Sequence, residues 1–186
     1  MKPALLLGLL PLLAASPASA AEWAVDPARS HLTFSGVQNG APFQGSFGKW
    51  QAEIAFDPAH PEAGHAKVTI DLASARTGDT QRDSALPQPE WFDTATSPQA
   101  RFEAGGFIAK GGDAYEAPGR LTLRGIGKDV ILPFTLAMTG DQATAKGHLT
   151  LVRTEFGVGQ GVWSTAEWVA LDVGVDVDLV ATKTGS

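Results

Sequence analysis

An all-β fold of eight antiparallel strands is what this sequence predicts, closed as a barrel or packed as a two-sheet sandwich, with long strands and tight connections favouring the eight-stranded antiparallel barrel, and three observations carry it. Apolar residues recur at every second position in one segment after another, the period of a half-buried strand. The 21 Gly and 12 Pro punctuate these segments instead of clustering in low-complexity runs. The later segments are joined by tight turns, at Lys110-Gly111-Gly112-Asp113, Gly125-Ile126-Gly127 and Thr139-Gly140-Asp141.

The elements follow in order. A strand over 30–38 places Leu32 and Phe34 on one face and His31, Thr33 and Ser35 on the other. In 43–57 the apolar face is Trp50, Ala52, Ile54 and Phe56; Phe43 and Phe47 are out of step with it, which predicts a bulge near Gly48. Val68, Ile70 and Leu72 alternate with Lys67, Thr69 and Asp71 in 65–75. A segment over 98–110 carries Phe102 and loses parity at Gly105-Gly106. Leu121 and Leu123 sit between Arg120, Thr122 and Arg124 in 114–125. Val130, Leu132, Phe134, Leu136 and Met138 form the inner row of 128–139. Leu149 and Leu151 face away from Lys146, His148 and Thr150 in 142–153. The clearest strand is 167–182, where Val169, Leu171, Val173, Val175, Val177 and Leu179 share one face and Asp172, Asp176 and Asp178 the other; a helix would scatter them. Only the region around 77–95 lacks the pattern. There Thr77 to Leu86 reads as a short helix, capped by Thr or Asp and ended by Pro87.

Residues 1–20 read as a secretory signal peptide: Lys2, a run of about twelve mostly apolar residues, and Ala18-Ser19-Ala20 as the cleavage pattern. The run is too short to span a membrane. The domain proper is then 21–186. Removing Lys2 leaves 13 basic and 20 acidic residues, a net charge of −7, which argues against nucleic acid and against an anionic membrane surface. The absence of Cys excludes disulfides, thiolate metal sites, a Cys nucleophile and a Cys-linked lipid anchor.

Nothing in the residues supports catalysis or a metal. His31, His60, His65 and His148 have no metal-ligand spacing, and the aspartates of 167–182 form a charged outer face without a cation-loop pattern. Gly157-Val158-Gly159-Gln160-Gly161 joins strand to strand, so no helix N-terminus follows it. No G-x-S-x-G elbow occurs. Arg153 stands out: it shares the inward parity of Leu149 and Leu151, and a buried Arg needs a partner. Two readings stay open, an ion pair with a carboxylate at the rim or a contact to the polar head of a ligand. Arg82 and Asp83 are lesser candidates for the same head-group role.

Several stretches resemble YceI-like proteins. Trp23-Ala24-Val25-Asp26-Pro27 with Ser30-His31-Leu32-Thr33-Phe34, then Gly45-Ser46-Phe47, is similar to the opening of that family. Its central signature is matched by Thr77-Gly78-Asp79 to Arg82-Asp83, Trp91-Phe92-Asp93 and Ser97-Pro98-Gln99-Ala100-Arg101-Phe102. Gly119-Arg120-Leu121-Thr122-Leu123-Arg124-Gly125 with Lys128, and Arg153-Thr154-Glu155-Phe156-Gly157-Val158-Gly159, complete the resemblance over nearly all of 22–182. Gly127 stands where the family commonly has Thr, and Leu86-Pro87-Gln88-Pro89 replaces a Leu-Lys type of sequence, so the helix there ends early.

The resemblance implies a periplasmic, lipocalin-like barrel that binds a polyisoprenoid, an isoprenoid quinone or a similar long-chain amphiphile, and is not an enzyme. On strand parity the apolar tunnel is assigned to Phe34, Val68, Ile70, Leu72, Phe102, Leu121, Leu123, Leu132, Phe134, Leu136, Leu149 and Leu151, with Arg153, Arg82 and Asp83 at the head group. A ten-residue strand spans about 33 Å, comparable to roughly eight isoprene units. At about 0.3 kcal/mol per heavy atom, some forty carbons reach roughly 12 kcal/mol, a nanomolar affinity. No cofactor beyond such a lipid or quinone is expected; nucleic acid is not a partner, and the cleaved chain does not span a membrane. A homodimer and a redox partner at the membrane stay open. So do two other classes: a solidly packed barrel acting in envelope stress or protein interaction, and an enzyme on isoprenoid substrates using rim carboxylates such as Glu155.

Overall fold

The computed structural model describes residues 20–184. The expected signal peptide lies outside the described residues except for Ala20. In chain order the strands are β1 (Ala21–Val25), β2 (His31–Gln38), β3 (Ala41–Phe47), β4 (Trp50–Phe56), β5 (His65–Asp71) and β6 (Ala75–Arg76). After the helix α1 (Thr80–Ala85) come β7 (Gln99–Ala104), β8 (Ile108–Gly111), β9 (Ala114–Leu123), β10 (Ile126–Thr139), β11 (Gln142–Val152) and β12 (Asp172–Thr184).

Eight of them close a ring in the order β1-β4-β5-β7-β9-β10-β11-β12, with β12 pairing back onto β1. Neighbours in the ring are antiparallel, so this is the barrel that the alternation predicts. Closure removes the free edges that an open sheet would leave exposed.

The ring closes through a strand that the period-two reading missed. β12 is long enough to offer its edge twice: Gly174 to Asp178 pair with β2, and Ala181 to Thr184 pair with β1. Between the two, the chain kinks at Asp26 to Ser30. The Ser30 hydroxyl substitutes for the missing backbone there, accepting from Val180 N–H at 2.9 Å, while Asp26 N–H donates to Val180 O at 2.8 Å. Arg29 and the Ala28 amide hydrogen-bond the Asp26 carboxylate and hold its pKa below the usual range. Buried Trp23 donates from its indole N–H to Phe56 O at 3.0 Å, tying β1 to β4.

Other departures have local causes. The expected strand 43–57 has no bulge near Gly48 but divides at Gly48-Lys49 into β3 and β4, which pair with different neighbours. The strand 65–75 stops at Asp71, whose carboxylate accepts from Ala73 N–H and caps a 3-10 turn over Leu72–Ser74. Gly105-Gly106 separates β7 from β8. Asn39-Gly40 and Arg124-Gly125, all with positive φ, make the two-residue hairpin turns between β2 and β3 and between β9 and β10. Asp79 caps α1 through Gln81 and Arg82 N–H, and the helix ends at Leu86 before Pro87. The last strand begins at Asp172 instead of 167; before it Val169 makes an isolated bridge to Gln38, and the Val169 and Ala170 carbonyls accept from Arg153.

Thr150 is exposed, whereas neighbouring Leu151 points into the barrel. Leu151→Asp should therefore lower stability by several kcal/mol, as an unpaired carboxylate enters an apolar interior. Thr150→Asp should stay within about 0.5 kcal/mol of the parent. Denaturant melts of the two variants check the parity of β11.

Candidate ligand-binding cavity

The barrel is hollow. Its interior holds a cavity of about 220 Å³, and every lining side chain belongs to Ala, Val, Leu, Ile, Met, Phe or Trp, apart from one Gly. Side chains midway along it, such as Val68, Leu149, Val175 and Val177, point inward yet keep accessible surface, since they face empty space. Ala66, Ala145 and Gly147 stand on the same wall and leave room there. A Cβ on Gly147 would come within 3.1 Å of the Leu132 Cδ1.

Each end is stopped by a packed cluster. Where the first and last strands meet, Trp23, Phe56, Phe107, Ala143 and Ala181 are buried together, with Tyr115 and Phe134 against them. At the opposite end lie Phe34, Leu72, Phe92, Phe156 and Val158, with Phe47, Leu86 and Trp91 packed on them. This second end is covered by two long non-strand segments, 77–98 and 153–171. They are joined at the Glu90 carbonyl, which accepts from Gly159 N–H at 2.7 Å and Gln160 N–H at 2.9 Å, and by Trp91 against Trp163, ring centroids 5.7 Å apart.

Of the residues assigned to the tunnel by parity, Val68, Ile70, Leu72, Phe102, Leu121, Leu123, Leu132, Phe134, Leu136, Leu149 and Leu151 stand on the cavity wall. Phe34 does not. It packs in the end cluster, 5.1 Å from Phe47, and fills the space left by Gly45; Phe47 takes the place on the wall. Sequence reasoning missed Trp23, Phe92 and Phe107. Phe92 and Phe107 lie outside regular strands, where no periodicity could assign them; Trp23 lies on a strand too short to show one.

Arg153 has no carboxylate partner among the described residues and does not stand on the cavity wall. It is 4 % exposed, begins a 3-10 turn over Arg153–Phe156, and bonds to backbone carbonyls alone. Nε donates to Ala170 O at 2.9 Å, Nη1 to Val158 O at 2.9 Å and Gly159 O at 3.5 Å, and Nη2 to Val169 O at 2.8 Å and Thr165 O at 3.1 Å. The guanidinium also lies 5.5 Å from the Trp91 ring. Its five N–H groups are thus spent on the covering loop, and burial lowers its pKa from the usual arginine value.

Arg82 lies 4.9 Å over the Phe43 ring and donates to Gln38 Oε1 at 3.0 Å. Asp83 turns the other way, accepting from the Thr77 hydroxyl at 2.7 Å and the Thr77 N–H at 2.6 Å, bonds that lower its pKa. Neither side chain reaches the cavity wall. Because the folded value is depressed, Asp83 supports the loop above the unfolded carboxyl pKa near 3.9, and that support is lost as pH falls through the lower folded value. A further arginine does similar work: Arg124 donates from Nη1 to the Pro89 and Trp91 carbonyls, holding the 86–97 segment onto the β9–β10 turn.

A model of the YceI-like domain matches residues 23–181. The chain belongs to the YceI-like family. A UPF0312 protein of Pseudomonas savastanoi pv. phaseolicola is 30% identical over 171 residues, covering 87% of this chain and 88% of that protein. The crystal structure of Burkholderia cenocepacia BcnA is similar at 37% identity and a TM-score of 0.83, over 86% of this chain and 100% of the other. A polyisoprenoid binding domain from Saccharophagus degradans, implicated in plant cell wall breakdown, shares the fold at 18% identity and a TM-score of 0.69, over 89% of this chain and 99% of that one. Among the described residues of this YceI-like barrel, no helix is long and apolar enough to cross a membrane.

Arg153→Met keeps the apolar stem and strands the carbonyls of the covering loop. The unliganded protein should lose about 3–5 kcal/mol, given charged hydrogen bonds worth roughly 1.5–3 kcal/mol each with water recovering part. That corresponds to a fall of about 10 °C in Tm. A calorimetric scan checks it.

Proposed function

We propose that this protein binds a single long-chain isoprenoid, isoprenoid quinone or similar amphiphile in the barrel, and that it does so in the periplasm after a signal peptide is cleaved behind Ala20. The observation that carries the reading is the unfilled, wholly apolar cavity. At about 24 cal/mol per Å³, a void of 220 Å³ costs the unliganded fold on the order of 5 kcal/mol. Water does not relieve that cost, because an ordered water needs two to four polar partners and the lining side chains carry no polar group but the indole N–H of Trp23, already given to Phe56 O, and that of Trp50. An apolar chain does relieve it: a void of 220 Å³ takes on the order of ten carbons, and a longer chain enters only as the wall or the covering segments give way. The described function of the similar Saccharophagus degradans domain supports an isoprenoid as that chain.

The same wall argues for binding over turnover. No lining side chain can serve as nucleophile, acid or base, and Glu155, the rim carboxylate considered for catalysis, is exposed and 3.8 Å from Lys128 Nζ. Selection among ligands falls to length and width, since apolar contacts discriminate chemistry weakly. The biological act is then carriage or sequestration of a water-insoluble molecule.

Two measurements test this. Mass spectrometry of an organic extract, from protein purified out of its native host, should yield one long-chain isoprenoid or amphiphile per barrel; protein that purifies with no extractable lipid and gains no stability from added polyprenol overturns the reading. At a free ligand concentration one hundred times Kd, the expected gain is about 2.7 kcal/mol. Separately, the intact mass of periplasmic protein should begin at Ala21; retention of residues 1–20 removes the export step.

A further inference from the structure

We infer that Phe107 is the floor of the cavity and sets the length of the isoprenoid chain that it accepts, an inference that rests on the binding reading above. Phe107 belongs to no strand; it comes from the connection between β7 and β8 that crosses the barrel end. Its ring is 6 % exposed and lines the cavity.

The surroundings fix the ring in place. Its own N–H donates to Pro61 O at 3.0 Å. Behind it, a Cβ on Gly64 would lie 2.8 Å from the ring, and a Cβ on Gly106 would lie 2.9 Å from Glu62 O, so the 61–64 turn is pressed directly against the loop. In front, four rings form a closed circuit. Phe107 meets Phe56 edge-on at 5.3 Å and Phe134 edge-on at 5.8 Å, and Tyr115 completes it at 5.4 Å from Phe56 and 5.5 Å from Phe134. Phe56 and Phe134 are strand residues that form part of the wall. Phe107 alone enters from outside the ring of strands, as a stopper.

This end also suits a hydrocarbon terminus and no polar head. The one polar group of a lining side chain here, the Trp23 indole N–H, is already given to Phe56 O. The last carbons of the chain therefore meet Phe107, and the head lies toward the end covered by 77–98 and 153–171.

Replacing Phe by Ala removes a six-carbon ring, close to the five carbons of one isoprene unit; replacing it by Leu removes three carbons, less than a unit. The test offers full-length protein an equimolar series of polyprenols that differ by one unit and reads the bound species by native mass spectrometry. Phe107→Ala should shift the preferred chain one unit longer, with the ratio of longer to parental chain rising about tenfold. Phe107→Leu should keep the parental optimum but bind the next longer chain more readily, and it decides the matter should Phe107→Ala fail to fold. Ile108→Ala, an adjacent exposed residue outside the cavity, should leave the profile unchanged. Identical profiles for parent and both Phe107 variants overturn the floor while leaving the binding reading intact. A parent that captures no polyprenol and purifies from its native host with no extractable lipid overturns both.

Discussion

Everything in this molecule depends on β12 finding partners along its whole free edge. One strand does not suffice, because the N-terminal chain must kink between β1 and β2; the two segments take successive stretches of the same edge instead. The gap at the kink is the weak point of such a closure, since an unpaired backbone group beside an apolar interior is costly. Ser30 and Asp26 fill it by satisfying Val180, and buried Trp23 fastens the returning strand to β4. Once the ring is shut, strand alternation leaves every inward side chain with nowhere to go but the lumen.

What fills the lumen is decided by size. Large rings gather at the two ends, while the wall between them carries Val and Leu with Ala145 and Gly147, which together leave the middle open. Proteins ordinarily pack their interiors to near crystal density, and a dry hole of this volume opposes stability unless something occupies it. On the proposed binding reading, the hole is the functional feature. Its chemistry is uniform, and discrimination is left to its length and its ends.

The end opposite the termini is held differently from the rest. No ladder covers it; the covering segments 77–98 and 153–171 are carried by side chains that reach their backbones. Arg153 and Arg124 supply fixed charged donors to carbonyls that would otherwise lie unpaired over an apolar cavity, and Trp91 packs between Arg153 and Trp163. Buried arginine without a carboxylate is tolerable because five carbonyl dipoles surround it. Cover and barrel are thereby coupled through a few side chains, which is where opening for a ligand would have to act.

Much of this was legible in the linear chain. The period-two rows of 128–139, 142–153 and the C-terminal segment assigned both faces of those strands, because in a strand parity alone decides which side chains share a surface. The same parity put Leu121, Leu132, Leu149 and Leu151 on the cavity wall, and the Asp79 cap and Pro87 bounded the helix. Three things needed the tertiary structure. Ala21–Val25 is too short to show a period, and only its pairing with β12 and β4 makes it a strand. Phe92 and Phe107 reach the lumen from loops, whose direction no periodicity encodes. Arg153 was recognisable as an inward charge, but its partners are backbone carbonyls supplied by residues 158–170, and any residue type supplies those. Sequence determines which faces are apolar; the closure of the ring and the paths of its loops decide what those faces enclose.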